Sequence, residues 1–265
     1  MRYCGIDVSA KPANQQLVTL HERRGSDGVE LVATFYTPGS VERVARTIEG
    51  FGRGQTVVAV DAPSARRLDL LAPGAPAREA LRLPEGRYER MRVCDAMLFR
   101  RGLPLYPVPA AGQAAADWEQ WMLVGFELFE ALAGLEGVRP PNLEGRYEGR
   151  VGETAPALGR LCETYPDAIF CALLGHRPSP KRTPWGLQQR IAVLRDRGVV
   201  DEDGGLWHRT LDELDACAAA YTAYAMATGL GTWVGDPDEG VIVLPTQELL
   251  DRYERLPPPS RSVLA

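Results

Sequence analysis

The sequence has few of the residues that build disulfide frameworks or soft-metal sites. Only five of its 265 residues are cysteines and three are histidines. The odd number of cysteines, their wide spacing and the lack of a CxxC pair argue against disulfides and against a structural zinc site. Any divalent metal would therefore be held mainly by oxygen ligands.

Long apolar runs are also missing. Hydrophobic residues make up 45% of the chain and charged residues 25%, as in ordinary globular proteins. No segment approaches the roughly 20 apolar residues that a membrane helix requires. The first residues lack the apolar core of a signal peptide. We therefore expect a globular protein in the cytoplasm with no membrane partner, and the oligomeric state stays open.

Lysine is nearly absent, since only Lys11 and Lys181 occur, and the net charge is −5. This acidic balance argues against a chain that binds nucleic acid over its whole surface. The charge is uneven, however, because residues 66–101 hold nine arginines against five acids, a local balance of +4. These arginines either follow a phosphate backbone or pair with the acids of their own segment.

The first sixty residues predict a β-β-β-α-β unit. Ser40 is a good N-cap, and apolar residues follow it at helical spacing up to Phe51. The helix supplies the crossover that a parallel pairing of the first and fourth strands requires. The four apolar or alternating segments that predict strands are 3–8, 17–20, 29–36 and 56–60.

A long insertion, about residues 64–155, is predicted after the fourth strand. It is rich in proline, glycine and arginine, with a short helix expected near residues 92–101. Residues 116–135 predict an amphipathic helix whose aromatic side chains, including Trp118 and Trp121, are expected to pack in the core.

The rest of the chain predicts a short fifth strand over 161–165, helices over 168–174 and 187–197, a long helix over 211–228 and a hairpin over 233–244. We expect one domain over residues 1–250 and a loose tail over 256–265.

Acidic residues stand at structurally similar points of these elements. Asp7 and Asp61 follow the apolar segments of strands one and four, and Glu163 belongs to the fifth strand, where its side chain faces either side. Ligand sites in open α/β sheets form at the carboxyl ends of parallel strands, so Asp7 and Asp61 converge if their strands are neighbours. Asp212 and Asp215 are three residues apart on one face of the last long helix.

The start of that helix explains one of its two aspartates but not the other. Thr210 and Glu213 fit a capping box, which places Asp212 in the first turn, where the helix dipole alone favours a carboxylate. Asp215 lies beyond that turn, and the alanines after it allow the helix to pack close to the sheet. Clustered carboxylates repel each other, and a hard cation that takes oxygen ligands relieves the repulsion.

These patterns predict a site for Mg²⁺ or Mn²⁺, two of which can hydrolyse a phosphodiester bond. The predicted catalytic residues are Asp7, Asp61, Glu163 and Asp215. The predicted metal ligands are Asp7, Asp61, Asp212 and Asp215. The predicted substrate-binding residues are Lys11, Arg92 and Lys181, although an internal ion pair with Asp95 is the alternative for Arg92.

Several short motifs occur along the chain in a fixed order. They are Gly5-Ile6-Asp7, Val58-Ala59-Val60-Asp61-Ala62-Pro63, Cys94-Asp95, Arg101-Gly102, Tyr106-Pro107, Glu163-Thr164-Tyr165-Pro166, Lys181-Arg182-Thr183-Pro184-Trp185-Gly186 and Asp212-Glu213-Leu214-Asp215-Ala216. In this order they resemble a bacterial and archaeal family of domains of unknown function, predicted to be nucleases with a ribonuclease-H-like fold. The resemblance covers about residues 3–245.

The resemblance implies an α/β fold with a mixed five-stranded sheet of order 3-2-1-4-5. Strand two would be antiparallel, and helices would cover both faces. It also implies metal-binding acids at Asp7, Asp61 and Asp215, with Glu163 as a fourth candidate. The leading hypothesis is thus a metal-dependent nuclease with a nucleic-acid substrate, DNA or RNA, although a small phosphodiester remains open.

Two other functions stay open. A non-catalytic scaffold would keep the fold and use the insertion to bind a partner. A nucleotide-dependent phosphotransferase of the actin and sugar-kinase type shares the β-β-β-α-β core, but it needs glycine-rich phosphate loops after strands one and four. Here residues 8–11 and 62–64 contain no glycine.

Overall fold

The computed structural model describes residues 1–25, 28–52, 55–135, 143, 146–151 and 161–256. The end of the predicted insertion and, apart from Leu256, the predicted C-terminal tail lie outside these residues. None of the helices in the described part of the chain has the length and apolar character that crossing a membrane requires.

The predicted β-β-β-α-β unit is confirmed. Ser40 caps the helix, since its Oγ accepts a hydrogen bond from the backbone N of Arg43 at 3.3 Å. The first strand pairs antiparallel with the second and parallel with the fourth. The elements are β1 (Arg2–Asp7), β2 (Gln16–Gly25), β3 (Gly28–Tyr36), α1 (Val41–Gly50) and β4 (Thr56–Asp61).

The helices and strands after β4 follow the predicted order, with two unpredicted strands, β5 and β7, and a short helix, α2, whose position was not predicted. Short 3₁₀ turns cover Pro12–Asn14, Asp117–Glu119 and Leu206–His208. The helices are α2 (Pro76–Ala80), α3 (Val93–Arg100), α4 (Gln120–Ala133), α5 (Pro166–Leu174), α6 (Pro184–Asp196) and α7 (Leu211–Ala227). The strands are β5 (Glu148–Arg150), β6 (Leu161–Glu163), β7 (Val199–Asp201), β8 (Thr232–Asp236) and β9 (Gly240–Leu244).

Nine strands of the described residues form one mixed sheet, in the order β5-β8-β9-β6-β4-β1-β2-β3-β7. The protein is therefore a mixed α/β protein with a sheet larger than the five strands expected. Strands β5 and β7 have only three residues each, too few to show a periodicity in the sequence. The predicted hairpin, β8 and β9, continues the sheet beyond β6.

Helices cover both faces of the sheet because successive side chains of a strand point to opposite sides. Tyr3 and Ala59 pack into the apolar cluster that contains α7, whereas Ile6 and Val60 pack into the cluster that contains α1 and α4. Gly5 allows α7 to lie directly on β1, since a Cβ at this position would be 2.0 Å from the carbonyl oxygen of Ala216.

Candidate active site at the carboxyl ends of the strands

Three acidic residues end three neighbouring parallel strands: Asp7 ends β1, Asp61 ends β4 and Glu163 ends β6. Asp7 and Asp61 are direct register partners, so both side chains leave the sheet on the face that α7 covers. The two carboxyl groups are close enough to interact: the contact with Asp7 raises the pKa of Asp61, and the contact with Asp61 lowers that of Asp7. Two carboxyl groups this close can share a proton.

Helix α7 brings Asp215 to the same place. The predicted capping box starts this helix, with Glu213 N donating to Thr210 Oγ1 at 3.2 Å and Thr210 N donating to Glu213 Oε2 at 2.7 Å. Asp215 is 4% exposed, and its Oδ2 accepts a hydrogen bond from Lys181 Nζ at 3.0 Å. Its Oδ1 is buried, and no described residue forms a hydrogen bond with it. One oxygen of this carboxylate is thus unsatisfied inside the protein.

Burial sets the electrostatics of the three aspartates. It raises the pKa of Asp7 to about 8, with further upward contributions from Asp215 and Asp212. Burial also raises the pKa of Asp61 well above its ordinary value, and the negative charges of Asp7 and Asp215 add to this effect. Asp215 has a raised pKa for the same reason, although the ammonium of Lys181 acts in the opposite direction. Ionisation of all three carboxyl groups in the folded protein is therefore unfavourable.

The loop before α6 holds Lys181 against Asp215. Burial acts to lower the pKa of Lys181, but Asp215 outweighs burial and the net effect raises it. Gly186 lets the first turn of α6 pack on this loop, since a Cβ there would lie 2.2 Å from the carbonyl oxygen of Pro180. Arg190 Nη1 donates to the carbonyl oxygens of Ser179 and Gly186, each at 3.1 Å.

A cleft of about 420 Å³ opens beside these residues. Asp61, Asp215 and Lys181 line it. Sequence reasoning did not assign the other liners to the site: Asp167, the aromatic residues Tyr106, Trp121 and Tyr165, and the apolar residues Val8, Pro104, Leu105 and Pro166. Asp167 follows a helix-starting proline right after β6, a position at the edge of the sheet that could have pointed to it.

Some hydrophobic residues of α4 and of the turn before it are buried in the core, and others are exposed or line the cleft. Met122, Phe129 and Leu132 are buried as predicted. Trp118 is 50% exposed, so the prediction that it packs in the core is wrong, and Trp121 lines the cleft.

Glu163 lines a small cavity together with Asp61, but its carboxylate is bound to other residues. It is the register partner of Val60 rather than of Asp61, which directs it to the other face of the sheet. Its carboxylate is 3% exposed and accepts hydrogen bonds from Arg92 Nη1 at 2.9 Å and from Ser64 N at 2.7 Å. The structure thus places Glu163 in a buried ion pair that anchors the loop after β4.

The remaining predicted site residues lie in three different places: a buried ion pair, an exposed loop and the first turn of α7. Arg92 is 1% exposed and bonds to both Glu163 and Asp95, so the structure favours the internal ion pair over contact with substrate. Lys11 is exposed in the loop after β1 and is not among the residues that line the cleft. Asp212 is exposed in the first turn of α7, within electrostatic reach of Asp7.

Most arginines of residues 66–101 bond within the protein. Arg78 is buried and donates to the carbonyl oxygens of Leu71 at 3.1 Å and Arg87 at 2.9 Å. Arg101 pairs with Glu148 at 2.7 Å. These partners are backbone carbonyls and an acid outside the segment. Pairing with the segment's own acids is seen for Arg67 with Asp69 and for Arg92 with Asp95, and contact with a phosphate backbone stays a prediction.

The donor set fits a hard divalent cation in its chemistry, since Asp7, Asp61 and Asp215 offer oxygen alone and one oxygen of Asp215 is unsatisfied. Among the described residues, however, no group of three or more His, Cys, Asp or Glu side chains is arranged to hold a metal ion. The ammonium of Lys181 occupies one oxygen of Asp215, and burial favours the protonated forms of Asp7 and Asp61. Metal binding here would require both aspartates to lose their protons.

Fold and cleft together define a mixed α/β protein with a carboxylate cluster at the carboxyl edge of its sheet. The chain belongs to the family described as "Protein of unknown function (DUF429)", which it matches over residues 5–239. The match spans the three aspartates and Lys181, and it confirms the resemblance to a family of domains of unknown function. No curated protein and no solved structure matched the chain.

Proposed function

We propose that the protein is a metal-dependent nuclease with a ribonuclease-H-like core, in which Asp7, Asp61 and Asp215 hold Mg²⁺ or Mn²⁺. The observation that carries the proposal is the convergence of three carboxyl groups, from positions far apart in the chain, beside one cleft. Burying carboxyl groups together is unfavourable, and a cation turns the same cluster into a binding site.

The strand order supports the fold part of the proposal. Strands β3, β2, β1, β4 and β6 lie side by side within the larger sheet, and β2 alone among them runs antiparallel to β1. This order of neighbours supports the 3-2-1-4-5 arrangement implied by the family resemblance, and further strands extend the sheet at both edges.

When bound, the metal would polarise the phosphate and supply a metal-activated water. Residues of the chain would hold the metal and contact the substrate. Asp7 and Asp61 would lose their protons to become ligands, and Asp215 would offer its Oδ1. Lys181 keeps a positive charge at the cleft wall, where it can contact an oxygen of the phosphate.

Aromatic residues of the cleft support a nucleic-acid substrate. Tyr106 is 61% exposed, and its ring centroid lies 6.2 Å from that of Trp121. The ring of Trp118 is also 6.2 Å from Tyr106. Exposed aromatic rings stack on unpaired bases irrespective of sequence, which favours a single-stranded region as the bound form.

One observation favours a non-catalytic binding protein as a second candidate. Lys181 already neutralises Asp215, and burial raises the pKa of Asp7 and of Asp61, which favours their uncharged forms. The cluster is therefore tolerable without a metal, as a scaffold would require.

A cleavage assay separates the two candidates. Single- and double-stranded DNA and RNA are incubated with the wild type, with Asp61→Asn and with the control variant Asp196→Asn, which alters an exposed residue at the end of α6. We expect cleavage with Mn²⁺ or Mg²⁺ but not with EDTA, a loss of at least about 100-fold in Asp61→Asn, and wild-type rates in the control. Equal cleavage by Asp61→Asn would overturn the proposal, and binding without cleavage by the wild type would favour the scaffold.

A further inference from the structure

A second cavity, of about 130 Å³, adjoins the carboxylate cleft, and Pro104, Asp167 and Lys181 line both. Its walls carry an unusual excess of positive charge. The four cationic residues that line it are Arg177, Lys181, Arg190 and Arg255, and Asp167 is the one acidic residue among its liners.

Backbone pairing brings two of these arginines together. Arg177 and Arg255 are partners in an isolated parallel β-bridge, in which Arg177 N donates to the carbonyl oxygen of Glu254 at 2.9 Å. The buried Tyr253 anchors this C-terminal segment, since its backbone N donates to the carbonyl oxygen of Arg101 at 2.9 Å. The fold therefore places the half-buried Arg177 beside the exposed Arg255, and both line the cavity.

The available carboxylates do not neutralise this pair. Asp167 Oδ1 is bonded to Arg190 Nη2 at 3.0 Å, and Lys181 is bonded to Asp215. Glu254, next to Arg255 in the chain, pairs with Arg252 at 2.7 Å. Among the described residues no carboxylate forms an ion pair with Arg177 or Arg255.

The cavity also contains a buried cation. Arg190 is 3% exposed, and its buried Nε has no hydrogen-bond partner in the part of the chain that the structure describes. Like charges placed together around a small cavity repel, and an anion between them converts the repulsion into attraction. Arginine presents its N–H groups in a planar fork that suits the tetrahedral oxygens of a phosphate.

We propose that this cavity binds a phosphate group, with Arg177 and Arg255 as its principal ligands. On the proposed nuclease, and resting on that function, the bound group is a phosphate of the substrate strand that neighbours the one at the carboxylate cluster. Lys181 stands between the two cavities, so the strand would pass from the cationic cavity across Lys181 to the aspartates.

Binding of inorganic phosphate tests the cavity without metal and without cleavage. Calorimetry is done in EDTA at constant ionic strength, with chloride as the reference anion, on the wild type, Arg177→Gln, Arg255→Gln and the control Arg252→Gln. Arg252 lies in the same segment but is paired with Glu254. We expect saturable binding that weakens about tenfold or more in each of the first two variants and is unchanged in the control.

Folding is monitored by the unfolding midpoint without phosphate, which we expect to stay equal or rise in Arg177→Gln and Arg255→Gln because a repulsion is removed. Absence of saturable phosphate binding by the wild type, or equal weakening in all three variants, would overturn the cavity as a phosphate site. Neither result would affect metal-dependent cleavage, so the nuclease proposal would stand. Conversely, phosphate binding by a protein without nuclease activity would support the cavity as a phosphate site and contradict the nuclease proposal.

As a further arm, single-stranded oligonucleotides with and without a terminal phosphate are compared in the same variants. A loss of affinity in Arg255→Gln only for the phosphorylated strand would assign the cavity to a strand end. An equal loss for both strands would assign it to an internal phosphate. No dependence on Arg255 in either strand would overturn the substrate part of the proposal.

Discussion

Replacing Asp7 by asparagine should stabilise the metal-free protein at neutral and alkaline pH. Burial, together with Asp215 and Asp212, raises the pKa of Asp7 from 3.8 to about 8. Below about pH 4 this group is protonated in both the folded and the unfolded chain, and it does not affect stability. As the pH rises from about 4 to about 8, the unfolded chain releases a proton that the folded chain retains, so folding becomes less favourable.

The size of the effect follows from the same pKa values. A change from 3.8 to about 8 corresponds to an upper limit of about 6 kcal/mol, at about 1.4 kcal/mol for each unit of pKa. Lys181 and the water of the open cleft reduce this cost, and we expect a gain of about 1–3 kcal/mol for Asp7→Asn at pH 8. The amide can also donate a hydrogen bond to Asp61.

The assay is urea unfolding of the wild type and Asp7→Asn from pH 5 to pH 9, in EDTA and with saturating Mg²⁺. We expect the wild type to lose stability over this range in EDTA and the variant to lose less. Mg²⁺ at about 100 times its dissociation constant should add about 2.7 kcal/mol to the wild type and clearly less to the variant. A variant that is less stable at pH 8 in EDTA, with an undiminished response to Mg²⁺, would refute this account of Asp7.

Three further substitutions test the site and its support. Asp215→Asn should leave metal-free stability nearly unchanged and abolish metal-dependent cleavage. Asp212→Asn should lower stability by about 0.3–1 kcal/mol and retain more activity. Activity assays and melting curves of both variants test this assignment, and the reverse pattern would contradict it. Glu163→Gln should cost about 3–5 kcal/mol in urea unfolding because Arg92 loses a buried partner, and a neutral result would contradict the anchoring role. Gly5→Ala should cost more than about 3 kcal/mol, since the added methyl group meets the backbone of α7, and an unchanged melting temperature would show that α7 can move away.

Local pattern determined much of the architecture. Apolar periodicity and caps predicted β1 to β4, α1, the capping box of α7 and the terminal hairpin, because each depends on residues that are close in the chain. The same patterns missed β5 and β7, whose three residues each become strands only by pairing with a long neighbour.

Of the site, the sequence by itself determined which acids end the strands, because an apolar run followed by a carboxylate marks a strand end. Tertiary structure decided which of them meet. The register pairs Asp7 with Asp61 but Glu163 with Val60, and a shift of one residue turns a side chain to the opposite face of a sheet. Packing likewise decided that Lys181 reaches Asp215 and that Trp121, which packs against the core, also lines the cleft. Such contacts join residues far apart in the chain, and no local pattern encodes them.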